Sequence, residues 1–230
     1  MTTWIDGTVV ENIHWHENLF SLKIEAPVPQ FSAGQFMSLA LDIDNERVAR
    51  PYSLLSSPGQ NPLEFFFYVA SDGVLSNALV KLESGDKVLL KDKAQGFFIL
   101  DEIPSARDLW MLGTGTGIAP YFSILGSEEV WQKYENVVLV EGVRSSKDLP
   151  YQDLIEKFVL CFPKKAILPN QLCIFAAAYS VYLKSRSYIE IWNEHFWITG
   201  PVFISTDDPK GGGLGKMKDC EHQLQPNTPE

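Results

Sequence analysis

The sequence predicts a β + α/β protein, in which an antiparallel β-barrel is followed by a second domain built on a parallel sheet. Residues 4–100 contain short apolar or alternating runs separated by turn residues, a pattern typical of a small antiparallel barrel or sandwich. From Leu109 onward, strand, glycine turn, helix, strand and helix follow one another, which is typical of βαβ units. A chain of 230 residues with 45% hydrophobic and 21% charged residues has the composition of a folded globular protein.

In the first domain the pattern predicts five strands and one helix. Apolar residues at helical spacing over Leu75–Leu82 predict the helix. Turn residues separate the strands at Ala33-Gly34, Ser57-Pro58-Gly59, Asp72-Gly73 and Ser84-Gly85-Asp86. The predicted strands are Thr8–Val10, Phe20–Ile24, Phe36–Leu41, Leu63–Val69 and Lys87–Leu90.

In the second domain a buried strand at Leu109–Leu112 leads through the turn Gly113-Thr114-Gly115-Thr116-Gly117 into a helix over Ile118–Leu125. A second strand is predicted at Val137–Val140 and a second helix at Tyr151–Phe158. The change of pattern places the boundary near Leu100–Ser105, which divides the chain into domains 1–100 and 101–230.

After Phe158 this alternation is lost, and residues 159–230 are predicted to be aberrant for such a domain. The uncharged stretch Ala166–Leu183 is interrupted by Pro169, Asn170 and Gln171, so it is too short to span a bilayer. We interpret it as a buried strand or helix. The polar, glycine-containing end of the chain is predicted to be a loose tail.

Charge and cysteine content exclude several classes of protein. The formal charge is −10, and residues 1–158 hold 22 of the 29 acidic but only 12 of the 19 basic residues. Such a chain is a poor nucleic-acid binder. The spacing of Cys161, Cys173 and Cys220 fits neither a zinc site nor an iron–sulfur centre, so we expect no metal. The absence of a signal-peptide pattern at the N-terminus and the odd cysteine count predict a cytoplasmic protein without a membrane span.

The segment Arg50-Pro51-Tyr52-Ser53, predicted to follow a strand directly, is the first candidate site. Arg50 offers a planar donor fork suited to a diphosphate, Tyr52 a flat ring able to lie on a heterocycle, and Ser53 a hydroxyl for a ring nitrogen. Taken alone, the four residues fit a strand end with an exposed arginine and a core tyrosine better than a ligand site.

The glycine turn Gly113-Thr114-Gly115-Thr116-Gly117 is the second candidate, because glycines between a strand and a helix let the backbone approach a phosphate. Its spacing is not the standard dinucleotide pattern, and a plain tight turn is the alternative. Arg144 follows the second strand at the edge where open α/β sheets bind ligands. By itself it also fits a solvated surface arginine.

Taken in order, these segments resemble those of the bacterial ferredoxin/flavodoxin–NADP⁺ reductases, in the ferredoxin-reductase superfamily. The resemblance extends over about residues 1–158. The matching segments are AGQFMSLAL (33–41), ERVARPYSLLSSP (46–58), LEFFFYVASDGVLSNAL (63–79), GDKVLLKDKAQGFFILDEIP (85–104), LWMLGTGTGIAPYFSIL (109–125) and VVLVEGVRSSKDLPYQDLI (137–155).

The resemblance implies an FAD-binding barrel, an NADP-binding α/β domain and hydride transfer from NADPH to FAD, followed by electron transfer to ferredoxin or flavodoxin. It implies that Arg50 contacts the FAD pyrophosphate, that Tyr52 stacks on the isoalloxazine, and that Ser53 lies near N5 as the catalytic residue. The remaining implied contacts are Phe66, Val74, Leu75, Ser76 and Thr116 for FAD, and Gly115, Thr116 and Arg144 for NADP. We expect a monomer.

Beyond residue 158 the family's S-R-E segment, C-G-N-P or C-G-S-P turn and aromatic C-terminus have no counterpart in this chain. We therefore keep the hypothesis that this part arises from a shifted reading frame or a divergent replacement, which sequencing of the coding DNA would test. The alternative function is an FAD-binding protein with impaired or no NADPH turnover. A third, an electron-transfer subunit of a larger flavoprotein, is disfavoured by the cysteine spacing.

Overall fold

The computed structural model describes residues 3–28, 30–143, 148–161, 172–178 and 202–205. Its strands form two sheets of different kinds. The first contains β1 (Trp4–His16), β2 (Leu19–Glu25), β3 (Phe36–Ile43), β4 (Glu46–Ser53), β5 (Leu63–Tyr68) and β6 (Lys87–Lys91), with helix α1 (Val74–Leu79) inserted after β5. The second contains β7 (Asp108–Thr114), β8 (Asn136–Val143), β9 (Leu172–Ala178) and β10 (Val202–Ser205), with helices α2 (Ala119–Leu125), α3 (Glu128–Lys133) and α4 (Gln152–Cys161).

The first sheet is antiparallel throughout, with the strand order β4-β3-β6-β1-β2-β5. Its two end strands meet through a bridge between Leu54 and Phe65 and a hydrogen bond of 2.9 Å from the Leu55 N–H to the Glu64 carbonyl oxygen. Leu54 and Phe65 are fully buried inside the resulting barrel. The predicted antiparallel barrel is therefore confirmed.

The second sheet has the order β10-β7-β8-β9, and β7–β8 and β8–β9 pair in parallel. This confirms the predicted parallel-sheet domain. β9 lies inside the stretch Ala166–Leu183, for which a strand or a helix was predicted. β10 pairs antiparallel with β7 and was not predicted. Both strands belong to the part of the chain where the sequence pattern is lost, and the polar end after residue 205 lies outside the described residues.

Two short elements differ from the sequence prediction. Arg50–Ser53 does not follow a strand but forms the last half of β4, because Pro51, which cannot donate a ladder hydrogen bond, is tolerated on a strand at the end of the sheet order. Helix α3 was missed, since its two apolar residues, Val130 and Trp131, are adjacent and show no helical spacing. Within the described ranges, no helix is long and apolar enough to cross a membrane.

The barrel and the α/β unit share one hydrophobic core, in which Leu55 and Phe66 of the barrel pack with Ile118 and Phe122 of the second unit. At its edge the buried Ser123 hydroxyl donates to the Ser56 carbonyl oxygen at 2.7 Å and accepts the Gly34 N–H at 3.3 Å. The Ser57 hydroxyl donates to the Ser123 carbonyl oxygen at 2.8 Å.

Gly126 lies close to the same loop, because a Cβ at this position would lie 2.0 Å from Ser57 Oγ and would force the Ser57 hydroxyl to move. Hydrogen bonds from both sides and this close contact fix α2 against the loop that follows β4.

Replacing Ser123 with alanine should lower the free energy of unfolding by about 1–3 kcal/mol, because it leaves a buried carbonyl and a buried N–H without their partner. Urea denaturation would measure the change. Ser127→Ala is the matched control, since among the described residues the Ser127 hydroxyl bonds only to the Ile124 carbonyl oxygen at the end of the same helix. Equal losses in the two variants would contradict a role for the Ser123 hydroxyl in joining the units.

Candidate functional site

The last half of β4 is an open edge of the barrel. Along Arg50–Ser53, β4 pairs with β3, and in the described part of the chain its backbone joins β5 only just after Ser53, through the bridge from Leu54 to Phe65 and the hydrogen bond from the Leu55 N–H to the Glu64 carbonyl oxygen. Beyond that bridge the two strands are linked by side chains, with the Tyr52 ring edge-on to Phe67 at 5.5 Å. A flat ligand can therefore lie against β4 and use backbone groups that no neighbouring strand occupies.

The motif residues divide between the two faces of this edge. Arg50 and Tyr52 pair with Leu39 and Met37, both buried inside the barrel, so they share the face of the barrel interior. Ser53 alternates to the opposite face, which also carries Leu55 of the shared core. The two faces then present different chemistry to a ligand.

Arg50 supplies a positive charge on the face of β4 that it shares with Tyr52. Its side chain is exposed, and among the residues that can be described its guanidinium makes one hydrogen bond, from Nη1 to the Ala49 carbonyl oxygen at 2.7 Å. The other donors of the planar fork are left for an anion. Burial raises the pKa of the Tyr52 phenol and the Arg50 charge partly offsets this rise, so the two side chains interact electrostatically.

Helix α1 begins beside the same face and packs on β3 and β4. Leu75 is buried and anchors the helix, whereas Val74 is exposed. The Ser76 hydroxyl donates to the Gly73 carbonyl oxygen at 3.1 Å. The amides of these three residues form the first turn, where N–H groups have no acceptor within the helix. They lie on the side of the barrel that carries Arg50 and Tyr52.

The glycine turn lies at the carboxyl end of β7, as predicted, and its residues Gly115–Ile118 form one 3₁₀ turn that packs on β5 and β8. Gly115 has φ +50°, and a Cβ built at Gly115 or Gly117 would meet nothing within 4 Å. The turn therefore presents bare backbone and the half-buried Thr116 to open space. Phe66, on the β5 strand against which the turn packs, lies in the shared core on the same face as Ser53.

The structure thus brings Ser53, Phe66 and Thr116 to the side where the two units meet, and Arg50 and the start of α1 to the other side of the β4 edge. Arg144 lies outside the described residues. Phe66 is only 3% exposed, because the ring of Tyr151 packs edge-on against it at 5.4 Å. Sequence reasoning missed Tyr151, since nothing in its local sequence indicates a contact with the barrel.

Sequence reasoning also missed Glu141, a buried carboxyl beside the glycine turn. Its side chain is 1% exposed, and neither carboxylate oxygen has a hydrogen-bond partner among the residues that the structure describes. Its register partners on β7 and β9 are Gly113 and Ala176, which carry no ionisable group. Burial accordingly raises its pKa to about 8. The sequence signal that could have identified Glu141 is a charged residue among the apolar residues of β8.

Comparison with known families gives two matches that follow the two units. Residues 8–96 match the oxidoreductase FAD-binding domain, and residues 111–169 match the oxidoreductase NAD-binding domain. The first match contains β4, β5 and α1, and the second begins within β7 and includes the glycine turn.

Curated relatives include the flavodoxin/ferredoxin–NADP reductase of Escherichia coli K12, which is 45% identical over 157 residues, 68% of this chain and 63% of that protein. The reductase of the same name from Buchnera aphidicola subsp. Baizongia pistaciae is 37% identical over 166 residues, 72% of this chain and 67% of its own length. The chain thus spans less than two thirds of the Escherichia coli protein.

A similar solved structure is a ferredoxin NADP⁺ reductase from Neisseria gonorrhoeae with bound FAD and NADP. It superposes with a TM-score of 0.67 at 26% identity, covering 83% of this chain and 79% of that one. A ferredoxin-NADP⁺ reductase from Plasmodium falciparum with bound 2′P-AMP shares the fold, with a TM-score of 0.60 at 19% identity over 84% of each chain.

Glu141 should make the protein less stable as the pH rises. Burial raises the pKa of the folded Glu141 carboxyl to about 8, whereas the unfolded carboxyl loses its proton near the ordinary glutamate pKa of 4.5. Between these values the free energy of unfolding should fall by roughly 1.4 kcal/mol per pH unit on account of this group. Urea denaturation from pH 5 to 8 would measure the slope.

Glu141→Gln should remove this contribution, because the amide does not titrate. Glu135→Gln, the same change at a nearby exposed position, should leave the slope of the wild-type protein unchanged. A Glu141→Gln variant that loses stability with pH as steeply as the wild-type protein would show that another group is responsible.

Proposed function

Because the chain belongs to the ferredoxin/flavodoxin–NADP reductase family, we propose that it is an FAD-dependent oxidoreductase that takes a hydride from NADPH and passes electrons to ferredoxin or flavodoxin. The observation that carries the proposal is the convergence of Ser53 and Phe66 from the barrel with Thr116 from the glycine turn. These residues come from the two units matched as FAD-binding and NAD-binding domains. We further propose that it works as a monomer in the cytoplasm, with domains 1–100 and 101–230.

The residues present fit an FAD. The β4 edge offers unpaired backbone and the Tyr52 ring for a planar group, and Arg50 with the first turn of α1 offers donors for a diphosphate. The glycine turn fits a nucleotide in the same way, since no side chain fills the space before Gly115 and Gly117. When bound, FAD accepts a hydride from NADPH and releases electrons singly, chemistry that no amino-acid side chain supplies.

The task of the protein is then to bind, orient and exclude water. Tyr52 would support one side of the flavin ring, and Ser53, on the face of the shared core, would hold a hydrogen bond at N5. Gly115 and Thr116 would place the nicotinamide end of NADPH against that same face, with Arg144 at its phosphates. Holding the two reacting atoms at near-attack distance is the main contribution that such a site makes.

Anaerobic addition of NADPH to the purified, FAD-loaded protein should bleach the visible absorbance of the flavin, because one hydrophobic core joins the unit matched as an FAD-binding domain to the unit matched as an NAD-binding domain. A yellow protein that does not bleach would overturn the reductase proposal. That result would instead support the alternative of an FAD-binding protein without NADPH turnover.

Arg50→Ala should weaken FAD binding by roughly 10- to 100-fold, as expected for the loss of charge-assisted hydrogen bonds to a diphosphate. Titration of the apoprotein with FAD, followed by flavin fluorescence, would give the dissociation constant. Arg47→Ala is the matched control, since Arg47 lies on the same strand but its guanidinium is bonded to Asp42 at 2.8 and 2.9 Å. Equal affinities of the two variants for FAD would show that Arg50 does not contribute to FAD binding.

A further inference from the structure

Tyr151 connects the two units at the point where both candidate surfaces meet. It precedes α4, and its side chain is almost fully buried. The ring packs on Trp15 of β1 at 4.8 Å, on Phe66 of β5 at 5.4 Å and on Phe122 of α2 at 5.3 Å. One ring therefore contacts the barrel on one side and, on the other, the helix that follows the glycine turn.

The Tyr151 hydroxyl is held on the barrel by two hydrogen bonds. It donates to Glu64 Oε1 at 2.8 Å and makes a short hydrogen bond with the Ser21 hydroxyl. Ser21 also accepts the indole N–H of Trp15 at 2.7 Å. Ser21 is the register partner of Phe66 across β2 and β5. The hydroxyl of Tyr151, which bonds to Ser21, and its ring, which packs on Phe66, therefore contact adjacent residues of the same sheet.

The backbone of Tyr151 is in a costly conformation, with φ +66°. A bulky residue other than glycine rarely adopts this left-handed region, because its side chain is then crowded against the backbone. The Tyr151 carbonyl oxygen accepts the Ile155 N–H at 3.0 Å, so the same backbone also starts α4. The surrounding contacts hold the side chain toward the barrel despite this cost.

We propose that Tyr151 is a positioning residue for hydride transfer, which sets the separation between the Ser53–Phe66 face of the barrel and the glycine turn of the second unit. It acts through Phe66, whose ring it covers, and through Phe122, which is on the helix that carries the turn. This inference rests on the proposed function, because it assigns Tyr151 a role in bringing the two binding surfaces together.

The test is anaerobic stopped-flow reduction of the flavin by NADPH in Tyr151→Phe and Tyr151→Ala. Tyr151→Phe keeps the ring but loses both hydroxyl contacts. It should bind FAD with unchanged stoichiometry and NADPH with unchanged affinity, but its limiting rate of flavin reduction should fall about tenfold, since small misplacements of reacting atoms lower rates steeply. Tyr151→Ala should fall further.

Two controls separate positioning from a general loss of stability. Tyr134→Phe makes the same chemical change at a buried tyrosine whose hydroxyl has no hydrogen-bond partner in the described part of the chain. Val9→Ala removes two methyl groups from the barrel core and should lower the melting temperature while leaving the contacts of Tyr151 in place. Both should keep the limiting rate of the wild-type protein.

The outcomes distinguish this inference from the proposed function. If the wild-type protein is reduced and Tyr151→Phe is reduced at the same limiting rate, or if Val9→Ala slows as much, the positioning role is wrong and the reductase proposal stands. If the wild-type protein is not reduced at all, the proposed function fails. In that case amide hydrogen exchange at residues 115–118 tests the role of Tyr151 without activity. Exchange that is unchanged by Tyr151→Phe would show that Tyr151 does not hold the glycine turn in place.

Discussion

The buried hydroxyl of Ser123 lies where the barrel and the α/β unit meet, and the geometry of the candidate site depends on the hydrogen bonds around it. It joins α2 to the loop after β4 and to Gly34. The glycine turn precedes α2 and Ser53 precedes that loop, so the same contact fixes both sides of the site. The shared core supplies the free energy of association through apolar burial, while directional hydrogen bonds select one arrangement of the two sheets.

The sequence was sufficient for those features that arise from local pattern. Alternating apolar residues predicted β2, β3, β5 and β6, and the turn from strand to helix at Gly113–Gly117 was predicted because glycine spacing and hydrophobic period change together there. The prediction that Arg50–Ser53 follows a strand was wrong, because these residues are part of β4. A proline within a strand is tolerated at the edge of a sheet, and the sequence does not show which strand lies at the edge.

The contacts made by Tyr151, Ser123 and Glu141 could not be predicted, because each depends on which distant segments meet. Tyr151 reaches Ser21 and Glu64, which are 130 and 87 residues away in the chain. Glu141 stands out in the sequence only as an acidic residue in an apolar strand. Its raised pKa depends on its burial in the folded protein, where its carboxylate has no hydrogen-bond partner among the described residues. The family resemblance predicted which residues contact the cofactors, whereas the folded structure shows which residues hold the two units together.

The open edge at the end of β4 has a consequence for how the protein behaves at high concentration. An unpaired strand is a surface on which the extended strand of another molecule can add, and this is a common route to aggregation. Pro51 removes one backbone donor from that edge, and the exposed charged side chains of Glu46, Arg47 and Arg50 would lose hydration if another strand packed beside them. The open edge of β4 is therefore protected from self-association by its own residues, and a ligand bound along this edge would add to the protection.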